Sequence, residues 1–237
     1  MKHRVSVVLA TMAALVALPA TASAETVAEW RMDEPAGAGT MTDSAAAGGS
    51  NDGTLSSVTT GVPGLVSGSA YRFDGTSSAV TVADDSDLDP GAANITVTAT
   101  VKVEDGQIRD DSYDIVRKGV TTTPGGNWKM EIKRSGTDPT VGKLLCVFKG
   151  VVNGGGRVAV QRIANMDIVD GRAHTLKCTK TSTAVTAVVV TNGQSRTFTT
   201  TKAAGSIAND QQVILGSKID GDDVLQGDLD QVTVDIG

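Results

Sequence analysis

The sequence predicts an all-β chain, a two-sheet antiparallel β-sandwich of the jelly-roll kind, and three observations carry that prediction. Ile95, Val97, Ala99, Val101 and Val103 alternate with Thr96, Thr98, Thr100 and Lys102, the period of two expected of a strand with one buried face. Of 27 acidic residues only five are Glu (25, 29, 34, 104 and 131). The short Asp side chain bonds nearby backbone and suits turns, whereas Glu suits helices. Turn signals also punctuate the chain between strand-like runs: Asp74-Gly75, Asp105-Gly106, Asp170-Gly171, Asn192-Gly193 and Asp220-Gly221.

Residues 1–24 stand apart from this pattern. Lys2, His3 and Arg4 give a positive start, Val5 to Leu18 is an apolar-rich run of 14 residues, and Pro19 breaks it. Ala22-Ser23-Ala24 supplies the small residues of a cleavage site, so 1–24 is expected to be a signal peptide. The run is too short to span a bilayer, and no second one follows. The expectation is a secreted chain, not inserted in a membrane, whose single domain covers 25–237. Loss of Lys2 and Arg4 takes the formal charge from -6 to -8. Such an acidic chain argues against nucleic acid as a partner.

In chain order, strand-like runs follow the opening WRMDE at Val80–Val82, Ile95–Val103, Trp128–Ile132, Leu144–Phe148 and Val158–Ile163. Others follow at His174–Cys178, Val185–Val190, Val213–Leu215 and Val232–Ile236. Asn192-Gly193, flanked by VVVT and QSRTF, is the clearest hairpin, because a two-residue type I′ loop needs positive φ twice.

The opening WRMDEPAGAGTMTDSAAAGGSNDGTL, the hairpin FDGTSSAVTVADDSDL and the closing VILGSKIDGDDVLQGDLDQVTV resemble the laminin-G-like, or concanavalin A-like, lectin/glucanase family. ITVTATVKV is similar to its first long core strand, and VDGRAHTLKC to a middle strand where relatives usually show Trp-His; Ala173-His174 stands there in this chain. The resemblance covers 25–237 and implies a concanavalin A-like jelly roll that binds extracellular carbohydrate, another surface polymer or a protein. A glycan hydrolase of the same fold is the third reading.

Cys146 and Cys178 are the only cysteines, both in the expected exported part, and an even count in an oxidising compartment predicts one bridge; two buried thiols are the alternative. No catalytic constellation emerges. His174 is the single histidine after residue 24 and shares a face with Leu176 and Cys178, which reads as packing. Hydrolases of this sandwich often carry Glu-x-Asp-x-x-Glu on one strand, but Arg31 occupies the middle position between Glu29 and Glu34. Asp85, Asp87 and Asp89 start like an EF-hand loop, yet Pro90 and Thr96 stand where Gly and Glu are required, so this run reads as a solvated loop. Asp33, Asp43 and Asp230 lie near the two chain ends, which pair in such a sandwich. They either converge on one structural Ca²⁺, as many members of the similar family do, or cap turns. Among seven aromatic residues, Tyr113 is the freest candidate for a sugar-stacking platform and Trp128 the second, although Trp128 begins a strand and reads first as core.

Overall fold

A computed structural model describes residues 24–237 apart from 49, 105, 107, 109, 110 and 137, so the expected signal peptide lies outside the described residues except for Ala24. Among the described residues sixteen strands follow one another, with a single 3₁₀ turn, Ser86–Leu88, between them. They are β1 Glu25–Trp30, β2 Thr40–Met41, β3 Gly53–Ser56, β4 Thr59–Pro63, β5 Ser69–Asp74, β6 Ala79–Val82, β7 Ile95–Lys102 and β8 Ser112–Lys118. Then come β9 Asn127–Ser135, β10 Asp138–Val151, β11 Arg157–Ile163, β12 Ala173–Lys180, β13 Val185–Thr191, β14 Gln194–Thr200, β15 Val213–Leu215 and β16 Gln226–Ile236.

They form two antiparallel sheets, and the predicted sandwich is the observed fold. The first sheet runs β14-β13-β12-β7-β16-β5-β4, and β1 joins the far half of β16. The second runs β11-β10-β9-β8-β15-β6-β3-β2. Chain ends therefore pair, Glu25 standing opposite Ile236. Alternation builds the core between the sheets. Ile95, Val97, Ala99 and Val101 of β7 are buried with Leu176, Val189, Leu229 and Val234 from one sheet, and Trp128, Met130, Leu144 and Phe148 from the other. Asn192 and Gly193 take φ of 50° and 74°, as the expected hairpin requires.

Cys146 of β10 and Cys178 of β12 form a disulfide with a Cα–Cα distance of 5.4 Å. Both point into the core from opposite sheets, so the bridge ties the two layers together.

Two expectations need correction. The Asp85–Asp89 run is not merely a solvated loop. Asp85 caps the 3₁₀ turn, and Asp89, with Asp84 just before the run, receives the Lys118 ammonium at 2.6 and 2.7 Å. Lys118 is fully buried and also donates to the Asn209 carbonyl at 2.6 Å, so these aspartates neutralise a cation that the fold encloses. Trp128 and Tyr113 are not exposed platforms: they are 0% and 1% exposed. Trp128 alternates with Met130 and Ile132 on the inner side of β9, and Tyr113 stands opposite Ile132 inside β8 rather than in a loop. Trp128 thus takes the core position its strand-like run allows, and Tyr113 is core because it lies in a strand, β8, that no apolar run announces.

Candidate binding site

The ends of β5 and β7 and the start of β16 lie side by side, and a cleft of about 470 Å³ opens over them at the rim of the sandwich. Register places Asp228 between Arg72 and Lys102, one on each neighbouring strand. Arg72 forms a bidentate pair with Asp228, Nε to Oδ1 at 2.7 Å and Nη2 to Oδ2 at 2.8 Å. Lys102 turns to Glu104 at 2.8 Å, on the same cleft. Arg72 is half exposed while Asp228 is nearly buried, so the guanidinium keeps donors free for a ligand while its partner fixes its plane.

Phe73 and Tyr113 supply an apolar wall beneath this polar rim. Gly227, directly opposite Phe73 in register, sits against the next strand, where a Cβ would meet the Lys102 carbonyl at 2.4 Å, and the ring itself packs on Gly216, where a Cβ would meet Phe73 Cε1 at 2.0 Å. Tyr113 therefore belongs to the cleft as wall, not as the stacking platform expected of it. The adjacent Asp74 is fixed by its own turn. Its carboxylate accepts from the backbone N–H groups of Thr76, Ser77 and Ser78 and from the Ser77 hydroxyl. Partial burial works to raise its pKa, but those hydrogen bonds outweigh it and hold the carboxyl well below the usual range. Arg72, Lys102, Asp228 and Gln226 were not singled out from sequence. Alternation in YRFDG and GDLDQ marks Arg72 and Asp228 as outward-facing, but only the sheet order makes them neighbours.

Of the three aspartates expected near the paired ends, two come together. Asp230 is fully buried, and its Oδ2 accepts from the backbone N–H groups of Leu65 and Val66 at 2.9 and 3.0 Å. Its Oδ1 is buried without a hydrogen-bond partner. Burial raises its pKa, the two amides oppose that rise, and the nearby Asp33 carboxylate adds to it. Asp33 itself accepts from Ser69 N–H at 2.8 Å in the same turn. Two close carboxylates with one unpartnered oxygen fit a hard cation better than they fit each other. Asp43 does not join them. Its Oδ1 accepts from Glu29 and Ala45 N–H and its Oδ2 from Asn51 N–H, so it clamps the first long loop, and no group of three or more metal-binding side chains forms among the described residues.

His174 is fully buried, with Nε2 2.8 Å from Asp170 Oδ1 and Nδ1 2.6 Å from the Thr191 hydroxyl. This line ties the start of β12 to the end of β13. It is the packing role that its phase predicts, with a polar tie added that the sequence did not reveal.

No protein-family model matches the chain, and no curated protein matches it in sequence. Solved structures do match. Domain 4 of AbnA, a GH43 extracellular arabinanase from Geobacillus stearothermophilus solved with arabinotriose, is 16% identical with a TM-score of 0.59, over 90% of this chain and 93% of that one. The botulinum neurotoxin serotype D binding domain is 10% identical with a TM-score of 0.58, over 89% of this chain and 47% of that one. The enzymatically active domain of bacteriophage CBA120 tailspike protein 2 is 10% identical with a TM-score of 0.52, over 72% of this chain and 25% of that one. The likeness is one of fold. This chain thus shares a two-sheet β-sandwich with them, spanning about half of the neurotoxin domain and a quarter of the tailspike chain.

Proposed function

We propose that this protein is a secreted, non-catalytic module that binds a neutral saccharide in the rim cleft. The single observation that carries the reading is the Arg72–Asp228 pair, a planar set of donors and acceptors fixed beside the apolar Phe73–Tyr113 wall. A sugar presents the complementary edge, vicinal hydroxyl pairs that can accept from and donate to such a fixed fork. The AbnA domain crystallised with arabinotriose has the same fold over nearly its whole length, which makes pentose oligomers the first probes. Export is supported by the expected signal peptide and by the disulfide, and no helix among the described residues is long and apolar enough to cross a membrane.

A structural Ca²⁺ belongs to the same proposal. Asp33 and Asp230 would hold it, and the ion would neutralise two like charges beneath the 64–69 turn. It plays no part in the sugar contacts.

The test is a glycan array including arabinotriose, followed by calorimetry of the strongest ligand against wild type and Arg72→Met. Loss of the charged fork should weaken binding at least about tenfold, the loss expected when one charge-assisted hydrogen bond of roughly 1.5–3 kcal/mol disappears. Equal affinity in the variant, or an array without any saccharide ligand, contradicts the proposal. Reducing-sugar release abolished by one carboxylate substitution would make the protein an enzyme instead.

A further inference from the structure

The outer face of the second sheet is a separate surface with different chemistry. Trp128, Met130, Ile132, Leu144, Cys146 and Phe148 point inward, so the residues between them, including Lys129, Glu131, Lys133, Lys143 and Lys149, point outward. On this face two pairs of cations stand directly opposite each other on neighbouring strands: Arg117 faces Lys129, and Lys133 faces Lys143. Like charges at opposed positions destabilise a ladder.

The fold answers the first pair. Arg117 Nη1 donates to Asp114 Oδ2 at 2.6 Å, and Lys129 pairs with Glu131. The second pair is left unanswered. Lys143 donates to the neutral Asn165 side chain at 2.9 Å, and Lys133 has no carboxylate within ion-pair distance among the described residues. Beyond them, Lys149 donates to the Thr121 carbonyl at 2.7 Å, and Arg157 donates to the carbonyls of Thr122 and Thr123 at 3.1 and 2.9 Å.

Among the described residues, these four cations have only neutral protein partners or none. A hollow of about 480 Å³ opens on this face, lined by Lys133 alone of these four, together with Lys129, Thr121 and Thr122. Of the carboxylates in its lining, Glu131 pairs with Lys129, Asp223 with Lys218 and Asp111 with Arg134, which leaves Asp220 at the rim. In a chain of formal charge -6, this concentration of unanswered positive charge runs against the overall field.

We infer that this face binds a carboxylated polysaccharide, laid across β9 and β10 with its carboxylates on Lys133 and Lys143. The cations are spread over three neighbouring strands, which suits an extended chain bearing a charge on each sugar more than a compact anion. A single-stranded nucleic acid would need rings on which bases stack. Trp128, Phe148 and Tyr113 are buried, so this face offers none. The site shares no residue with the rim cleft and stands or falls independently of it.

The experiment is retardation of the purified protein in gels containing polygalacturonate, at low salt and again at 0.3 M NaCl, where exposed charge pairs are largely screened. Wild type should be retarded at low salt and released at high salt. Lys133→Glu/Lys143→Glu should lose at least about tenfold in affinity, with Lys133→Gln/Lys143→Gln as the milder form if the first does not fold. Lys177→Glu, an exposed cation on the other sheet, should bind polygalacturonate like wild type, and the double variant should keep its neutral-sugar affinity. No retardation of wild type, equal retardation of the double variant, equal loss in Lys177→Glu, or tighter binding to single-stranded DNA than to polygalacturonate overturns the inference.

Discussion

The outer faces of the two sheets follow the same alternation and end with opposite chemistry. On the first sheet, β7 presents Thr96, Thr98 and Thr100, and two of these meet β12 threonines, Thr96 with Thr179 and Thr100 with Thr175, oxygen to oxygen at 3.0 Å. Asp228, Asp230 and Asp235 of β16 lie alongside. The second sheet carries a denser set of lysine and arginine, with Asp114 and Glu131 among them. Each face also holds one buried carboxylate with an unpartnered Oδ1, Asp230 on the first and Asp114 on the second. They differ in company. Asp114 has Arg117 within hydrogen-bond reach, whereas Asp230 has backbone amides and a second carboxylate. Thus the period of a strand decides which side chains face outward, and the order of strands decides what stands beside them.

The largest expected effect comes from separating the two faces. The Cys146–Cys178 bridge is a contact between the inner sides of the sheets, closing a separation of 32 residues. Cys146→Ala/Cys178→Ala should lose about 3–4 kcal/mol in urea unfolding, because the unfolded chain regains the entropy of that loop. Each face is held by its own ladder, so neutral-sugar and polygalacturonate binding should survive in the folded variant. Loss of one preference but not the other would show that the bridge shapes that face.

Next is the carboxylate pair on the first sheet. Ca²⁺ at about a hundredfold above its dissociation constant should stabilise the protein by about 2.7 kcal/mol. Asp230→Ala should abolish the rise in melting temperature, while Asp87→Ala should retain it. No rise, or equal loss in both variants, would remove the cation from Asp33 and Asp230.

The smaller effect belongs to the second sheet. Burial pushes the Asp114 carboxyl up to about 6, with Arg117 and Lys129 opposing the rise. Its folded value lies above that of the unfolded chain, so the folded state holds this proton between about pH 4 and 6 after the unfolded state has released it. The contribution is complete below about pH 4 and is lost as the pH rises through about 6. Relative to Asp114→Asn, wild type should therefore lose on the order of 1–3 kcal/mol between pH 4 and 7. A difference between the two proteins that does not change with pH would contradict this role.

Much of this fold is legible in the chain because strand alternation is local. Ile95 to Val101, the Asn192-Gly193 turn and the phase of both cysteines each follow from a few residues. The site is less legible because it is assembled across strands distant in sequence. Arg72 and Asp228 are 156 residues apart, and neither has an unusual neighbour. Tyr113 lies in the core against expectation because its strand carries polar residues at outward positions, whereas the core reading of Trp128 agrees with its burial. Ser112, Asp114, Lys129 and Glu131 hide the extent of β8 and β9 by breaking the apolar pattern on one face only. Asp43 was grouped with Asp33 and Asp230 by nearness to the chain ends, but backbone amides in its own loop claim both its oxygens.

The central claim is that the rim cleft, rather than either broad face, takes the neutral saccharide. Its most direct test is a ¹⁵N–¹H spectrum of the protein titrated with its tightest neutral oligosaccharide. Shifts should concentrate at Arg72–Asp74, Lys102–Glu104 and Gln226–Asp228, and leave Lys133 and Lys143 in place. Shifts centred on β9 and β10, or on the threonine face of β7 and β12, would contradict the account.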